Sequence, residues 1–411
     1  MEIAHNLVRN ETPGNALVNL MAMCGVCQHW RSVAREATSG ACVGFDGLDN
    51  TFSQVSQPSV QRFRRLPAKK KEEFFIAAAK LLTGYTDVSF SGEGVTDALL
   101  QIVAAKSGSK FERVKIQSSS NVTDVGLFAM IDKASELQHV SVEELPSVIT
   151  GEFLVRMFEG CPKLRSIALS NLPSLSWAPL NSSSMAWDGG AITKLTVRGV
   201  RLDKDFALVL AKLGGLLDLE FDGPAGNIKA ASVSCLRLQR LSYQVSARTL
   251  LDEALTALSD CKELKQLELV IRNFSLSTDQ LHIVGMLPVV EVRLDSYVYR
   301  QQPTLSRSSY SHVDNEGVKA LVDSICTRWC LAGTDMKPLK LTLCGATALT
   351  HDAVSALLRL PILTELDIGG CCRITAMDKM RLVAKVRAGR ELLDSGRKPS
   401  SRSMRFPGLF L

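Results

Sequence analysis

The spacing of apolar residues constrains the fold of this chain more than any other feature. Leu264, Leu267 and Leu269 follow the pattern L-x-x-L-x-L, and in an extended strand the last two side chains point to the same side. The pattern recurs along the chain, and its first positions are Tyr85, Phe111, Leu137, Leu164, Ile192, Leu216, Leu238, Leu264, Val289, Pro338 and Leu363. Nine of the ten successive steps measure 22 to 28 residues, which predicts an array of similar units with one short strand each.

A helix is predicted between successive strands. A threonine stands just before an apolar periodic run in several units, at Thr96, Thr123, Thr150 and Thr350. Its hydroxyl can accept a hydrogen bond from an N–H of the first helical turn. A period of about 20–29 residues built on this strand pattern is typical of leucine-rich repeats. We therefore predict an α/β leucine-rich-repeat horseshoe solenoid of about 11 repeats over residues 66–390. Its parallel strands would line the concave face and its helices the convex face.

Two stretches resemble the cysteine-containing subclass of leucine-rich repeats. They are Cys161-Pro162-Lys163-Leu164 and Leu366-Asp367-Ile368-Gly369-Gly370-Cys371-Cys372-Arg373-Ile374-Thr375. The chain departs from that pattern where Asn171, Phe274 and Ala346 stand near the position of the second cysteine. The resemblance implies that the cysteines at such turns are buried packing groups, at Cys161, Cys261, Cys344 and Cys371.

Residues 16–37 form an amphipathic helical pattern ending in Val26-Cys27-Gln28-His29-Trp30-Arg31-Ser32-Val33-Ala34. This end resembles the last helix of the F-box, a module commonly found before such repeats. The upstream half of the F-box pattern matches poorly. The resemblance implies docking to a Skp-type linker through Leu20, Val26, Cys27 and Trp30. The alternative is a helix that only caps the first repeat. Residues 1–65 are thus predicted as a helical F-box-like or capping segment, with an irregular connector from about residue 40.

The predicted array is interrupted at two places. Residues 171–190 replace a helix with a loop containing Trp177 and Trp187, which either fold back into the core or bind a partner, and we favour the core. The 49-residue step after Val289 implies an insertion near residues 297–312. Insertions in a solenoid often lie on the binding face, so we predict a target-binding loop. Its contact residues would be Tyr297, Tyr299, Arg300, Arg307 and Tyr310. The alternative is an unconstrained bulge.

Polar residues alternate with the leucines in each strand and would face the concave side. The residues predicted to bind a target are Arg113, Lys115, His139, Lys194, Arg198, Asp218, Glu220, Arg240, Gln266, Glu268, Glu291 and Arg293. Their signs alternate, and no continuous basic stripe with interleaved aromatics appears. A charge mosaic favours a protein or peptide over nucleic acid.

No enzyme, metal or cofactor pattern emerges from the sequence. The six histidines lack metal-ligand spacing, and Cys24-x-x-Cys27 has no second pair. No apolar run reaches the length of a membrane span, and no secretory signal is visible. Eleven cysteines, an odd number, are typical of reduced thiols in a cytoplasmic or nuclear protein. No catalytic residue, cofactor or metal site is predicted.

Residues 391–411 are predicted to be a flexible basic tail. The tail closes with Phe406-Pro407-Gly408-Leu409-Phe410-Leu411, which is more apolar than a mobile tail requires. This segment either caps the final repeat or serves as a short partner motif.

These patterns predict a non-catalytic, monomeric protein–protein interaction module. The resemblances imply a substrate-recognition adaptor of an SCF-type cullin ubiquitin ligase, whose partners are a Skp-type linker, a cullin and an unknown protein target. The alternative is a repeat scaffold with no ubiquitin-ligase link. A more remote hypothesis is a receptor with a small-molecule pocket beneath the insertion.

Overall fold

The chain divides into two compact units, residues 1–216 and residues 217–411, and each is described by itself. The computed structural model describes residues 42–46, 65–81, 84–145, 149–182, 189–223, 226–245, 251–272, 274–296, 312–332 and 337–395.

Strands and helices alternate along the first unit. They are β1 (Cys42–Asp46), α1 (Ala68–Leu81), β2 (Asp87–Ser91), α2 (Asp97–Ser107), β3 (Arg113–Gln117), α3 (Asp124–Ile131), β4 (His139–Glu143), α4 (Glu152–Gly160), β5 (Ser166–Ser170), α5 (Ala178–Ser182), β6 (Lys194–Arg198) and α6 (Lys204–Lys212). The 3-10 turns Gly108–Lys110 and Gly189–Ala191 precede β3 and β6. The six strands pair in parallel, in chain order.

The second unit repeats this alternation. Its elements are β7 (Asp218–Asp222), α7 (Gly226–Ser234), β8 (Arg240–Val245), α8 (Leu251–Ala257), β9 (Gln266–Ile271), α9 (Thr278–Met286), β10 (Glu291–Ser296), α10 (Asn315–Ala332), β11 (Leu339–Thr342), α11 (His351–Leu357), β12 (Leu363–Asp367) and α12 (Ala376–Asp394). The 3-10 turn Leu258–Asp260 follows α8. These strands also pair in parallel, in chain order.

Neighbouring strands bring equivalent apolar positions side by side. Val114 lies opposite Val88 on one side and Val140 on the other, and Leu241 lies opposite Leu267. All five side chains are buried on the side of the sheet that packs against the helices. The eleven predicted strands are all present, as β2 to β12. The predicted leucine-rich-repeat fold is therefore confirmed.

Strand β1 corrects the predicted connector of residues 40–65. Cys42–Asp46 pairs along its whole length with β2, and Phe45 lies opposite Phe90. The Phe45 ring is fully buried, stacks on Phe90 at 5.3 Å and meets the edge of Phe75 at 5.8 Å. The strand escaped the repeat pattern because Gly40 stands where the other units carry their first apolar residue.

The predicted threonine caps are present and join neighbouring helices in the first unit. Thr123 Oγ1 accepts a hydrogen bond from Val125 N at 3.2 Å, and it also donates to Asp97 Oδ2 at 2.6 Å. Asp97 Oδ1 accepts from Thr123 N at 2.8 Å and from Gly126 N at 3.1 Å. Asp124 binds Thr150 in the same way in the next repeat. Helices α2 and α3 therefore each fix the start of the following helix.

Two further elements differ from or extend the predicted pattern. A five-residue helix, Ala178–Ser182, lies where an irregular loop was predicted. Helix α12 continues to Asp394, beyond the predicted end of the array at residue 390, and the tail from residue 396 lies outside the described residues. The longest described helices, α10 and α12, contain 18 and 19 residues. No described helix is both long and apolar enough to cross a bilayer.

The contact between α2 and α3 predicts the effect of adding one methyl group. A Cβ at Gly126 would overlap the Asp97 carboxylate and lie 2.9 Å from Leu100 Cδ1. We expect Gly126→Ala to lower the free energy of unfolding by about 1–3 kcal/mol, measured as a lower urea midpoint of the full chain.

Gly214→Ala is the matched control, because a Cβ at Gly214 would have nothing within 4 Å. This change is expected to be neutral or to stabilise by about 0.4–1 kcal/mol. Equal midpoints for the two variants would contradict close packing of α2 on α3.

Candidate interaction surface

The candidate site is the strand face, defined as the side chains of β2 to β6 and of β7 to β12 that point away from the helices. In β3 to β7 the buried apolar residues alternate with exposed or half-buried ones, which are polar apart from Ala168. This alternation follows from the period of two in a strand. The backbone beneath the polar side chains is held by parallel pairing between successive strands within each unit, so the face presents fixed positions.

The basic residues of β3 are paired across strands. Arg113 Nη2 lies 2.5 Å from Asp87 Oδ2 of β2, and Lys115 Nζ lies 3.7 Å from Glu143 Oε1 of β4. Ser141 Oγ donates a second bond to Glu143 Oε1 at 2.7 Å. Both basic side chains remain largely exposed. Exposed pairs of this kind contribute about 0–1 kcal/mol, so they orient the cations more than they stabilise the fold.

His139 of β4 is exposed on the same face. Partial burial lowers the pKa of His139, and the neighbouring Arg113 guanidinium adds to this effect. The imidazole is therefore neutral at pH 7 and offers one donor and one acceptor to a ligand.

Small side chains occupy β5, between the polar residues of β4 and β6. Ser166, Ala168 and Ser170 are half-buried, and Ser166 and Ser170 lie opposite Lys194 and Arg198 of β6. Both Lys194 and Arg198 are exposed. On the strand face of the first unit, the side chains of β5 are therefore shorter than those of β3 and β6 on either side.

The second unit presents a different arrangement around Arg240. Its Nη1 lies 3.3 Å from both carboxylate oxygens of Asp218, and its Nη2 lies 3.5 Å from Glu268 Oε2. An open cavity of about 250 Å³ borders this group, lined by Leu217, Asp218, Gln239, Arg240, Lys265 and Gln266. Gln266 Nε2 donates to Glu291 Oε2 at 3.0 Å, and Arg293 is exposed.

The solvent-facing pattern fails in β8 to β10. Ser242, Glu268, Val270 and Asp295 occupy strand-face positions, yet all four are buried. Glu268, predicted to contact a target, is only 5% exposed and is bound by Arg240. The sequence pattern predicts which side of the sheet a residue faces. It does not predict whether other residues bury that side, so Glu268 was wrongly assigned to the solvent-exposed surface. Glu220 of β7 is half-buried.

Two predicted groups lie outside the described residues. They are the linker-docking set Leu20, Val26, Cys27 and Trp30, and the loop set Tyr297, Tyr299, Arg300, Arg307 and Tyr310. His312, predicted as the end of the insertion, is buried instead. Its carbonyl accepts from Leu276 N at 2.9 Å, and its Nε2 lies 2.8 Å from Leu294 O. Burial lowers the pKa of His312 to about 4, so the ring is neutral and Nε2–H donates.

Trp177 belongs to the core, as the favoured interpretation predicted. Its ring is 4.8 Å from that of Phe206, and its Nε1 donates to Arg201 O at 3.2 Å. The indole therefore fills the space beside the five-residue helix Ala178–Ser182. Trp187 lies outside the described residues.

A polar chain at the helices was not predicted from the sequence. Ser355 Oγ lies 3.4 Å from His351 Nε2, and His351 Nδ1 lies 2.8 Å from Asp378 Oδ1. The order is that of a hydrolase triad, but Asp378 Oδ2 also accepts from Thr375 Oγ1, and Thr375, the N-cap of α12, accepts from Asp378 N. His351 and Ser355 lie one turn apart on the outer surface of α11. The group joins α11 to α12. In the described ranges, no cluster of His, Cys, Asp and Glu could hold a metal ion.

The four cysteines expected to be packing groups are all buried. They are Cys161, Cys261, Cys344 and Cys371, and none of the cysteines in the described part of the chain forms a disulfide. Cys371 Sγ donates to Leu343 O at 3.3 Å in the preceding repeat. Burial raises the pKa of Cys371 to about 11 and that of Cys161 to about 12. These thiols are therefore protonated at neutral pH, as packing groups should be.

The adjacent pair Cys371 and Cys372 predicts a sharp difference in reactivity, because only Cys372 is exposed. Because burial raises the pKa of Cys371 to about 11, this thiol stays protonated at pH 8. We expect iodoacetamide to alkylate Cys372 of the native protein at least about 100-fold faster than Cys371. Site-resolved mass spectrometry measures both rates, and urea should abolish the difference. Similar native rates would contradict the buried position of Cys371.

Comparisons with known proteins find distant structural likeness alone. No protein-family profile and no curated protein sequence matches the chain. Among solved structures, a chain of the yeast Rad7–Elc1 complex is similar at 15% identity over 74% of each chain, with a TM-score of 0.47. A chain of the Drosophila Toll–Spätzle complex is 13% identical over 69% of this chain and 37% of that one, with a TM-score of 0.34. InlP of Listeria monocytogenes is 12% identical over 73% and 62%, with a TM-score of 0.26. The repeat architecture rests on the strands and helices of this chain, and these likenesses assign it to no family.

Proposed function

We propose that this chain is a protein-binding module whose target lies on the strand face of the first unit. The observation that carries the proposal is the set of exposed and half-buried polar side chains on β3 to β6, held on paired strands whose other side is buried. A rigid backbone with oriented side chains costs little conformational entropy when a partner binds.

The charges of the first unit favour an acidic target segment. Its described strand-face residues include four basic side chains, Arg113, Lys115, Lys194 and Arg198, and two acidic ones, Asp87 and Glu143. The low β5 strand offers serine hydroxyls between the two basic strands. An extended acidic peptide could lie over β5, with its carboxylates near the cations.

The second unit supports a protein target over a nucleic acid. Its described strands carry eight acidic strand-face residues, Asp218, Glu220, Asp222, Glu268, Glu291, Asp295, Glu365 and Asp367, against three basic ones, Arg240, Arg293 and Lys340. A polyanion would be repelled by this face, whereas nucleic-acid binding requires a continuous basic surface.

The finer proposal is that the module recognises substrates for an SCF-type cullin ubiquitin ligase. It rests on the resemblance of residues 26–34 to the last F-box helix, which implies that the N-terminal segment docks a Skp-type linker. The chain would then act without catalytic residues of its own. It would hold the target's lysine near a ubiquitin-charged enzyme, and proximity would supply the rate.

Charge reversal on the strand face tests the target site. We expect Arg113→Glu/Lys115→Glu to weaken target capture at least about tenfold, or about 1.4 kcal/mol, because acidic groups would then face an acidic target. Binding partners from source cells are captured on each protein and quantified by mass spectrometry.

Arg156→Glu/Lys163→Glu is the control, because it makes the same charge change away from the strand face. Both control residues are exposed, and each is also ion-paired, to Asp132 at 3.1 Å and to Glu136 at 2.5 Å. A captured protein is identified as the target if Arg113→Glu/Lys115→Glu fails to capture it and Arg156→Glu/Lys163→Glu still does. Equal losses in both variants would count against the strand face.

The ubiquitin-ligase link is tested by capturing the Skp-type linker with wild-type protein and with Trp30→Ala. We expect the wild type to bind the linker and the variant to lose it, while circular dichroism stays unchanged. Failure of the wild type to bind the linker would leave a repeat scaffold with a simple N-terminal cap. Binding by a folded Trp30→Ala protein would remove Trp30 from the docking surface.

A further inference from the structure

The last described helix, α12, has a buried side and an exposed apolar side. Leu382 is buried, and Gly389 packs so closely on the Leu363 carbonyl that a Cβ would overlap it. Met377, Met380 and Val383 follow at three-residue spacing on the other side, and they are 61%, 60% and 68% exposed. Three large apolar side chains so close together are unusual on a free surface.

Strand β12 also leaves apolar side chains partly exposed. Leu366 and Ile368 stand at positions equivalent to Leu341 and Leu343, which are buried in the preceding repeat. Both are only half-buried, because among the described residues no strand pairs with the far edge of β12. The end of a repeat array needs a cover, since each repeat otherwise hides its apolar face against the next.

We propose that the chain's own segment 406–411, Phe-Pro-Gly-Leu-Phe-Leu, covers this end by packing against Met380, Val383 and the edge of β12. The segment has four large apolar side chains and no charge. It follows the last described residue, Ser395, after ten intervening residues, 396–405.

The linker of residues 396–405 is long enough for segment 406–411 to reach Met380. From Ser395 back to Met380 the helix measures about 22 Å, at about 1.5 Å per residue. Ten extended residues span at most about 33–36 Å, so the linker is long enough to cover this distance. Tethering of this kind gives an effective concentration in the millimolar range, so even a weak apolar contact is occupied.

The effect of salt on docking distinguishes segment 406–411 from an acidic partner protein as the occupant of this surface. The linker carries Arg397, Lys398, Arg402 and Arg405, and α12 has five basic side chains against three acidic ones, Asp378, Glu391 and Asp394. The excess of positive charge on both opposes docking, and salt screens it. Docking of segment 406–411 should therefore strengthen with added salt, whereas an acidic partner would bind more weakly.

Hydrogen exchange of the full chain tests the proposal. In Phe406→Ser/Leu409→Ser/Phe410→Ser, we expect backbone amides of β12 and of the first half of α12 to exchange about tenfold faster than in wild type. Ser400→Ala/Ser401→Ala/Ser403→Ala is the control, and its exchange should be unchanged. A peptide of residues 404–411, added at millimolar concentration, should restore protection in the first variant.

A second pair of variants tests the other side of the contact. Met380→Asp should raise exchange to the same extent and add nothing to the tail variant. Val233→Asp, at a position 67% exposed on α7, should leave α12 unchanged. Unchanged exchange in the tail variant would overturn the proposal. It would also be overturned by protection that falls on dilution together with a dimer in light scattering, because the occupant would then be a second copy.

Discussion

The structure depends on apolar side chains that lie side by side on successive strands. Val88, Val114 and Val140 are adjacent in register, and each is held between its neighbours and the helix layer. Burying one such side chain contributes about 1.5–3 kcal/mol, whereas a helix cap contributes about 1 kcal/mol. The repeated apolar pair therefore determines the fold, and the threonine caps and cross-strand ion pairs refine it.

The polar contacts between repeats add direction to this packing. Asp97 binds the backbone and hydroxyl of Thr123, and Asp124 does the same for Thr150. Each carboxylate lies near a helix N-terminus, where exposed N–H groups and the helix dipole favour negative charge. The spacing of 26 residues between the partners equals the repeat length, so one hydrogen-bonded joint can recur without change. These hydrogen-bonded contacts fix where α3 and α4 begin relative to the preceding helix.

Sequence reasoning predicted the repeats because their signal is local and periodic. It missed β1, where Gly40 replaces the leading apolar residue and the pairing with β2 identifies the strand. It also assigned Glu268 to an open surface, because alternation gives the side of a sheet and not what covers it. The contact of His351 with Asp378 joins residues 27 apart, and predicting it requires knowing how the two helices are placed relative to one another. The N-terminal docking set and the loop after β10 stay predictions, because they lie outside the described residues.

Strand β1 limits how far the N-terminal segment can reach. Only eight residue steps separate Ala34, the end of the F-box-like stretch, from Cys42 in the sheet. Eight steps span at most about 26 Å, even when fully extended. A ligase docked through residues 20–34 would therefore be tethered to the first strand by a short connection. This connection would limit which lysines of a bound protein the ligase can reach, so its length would help to select the lysine that is modified.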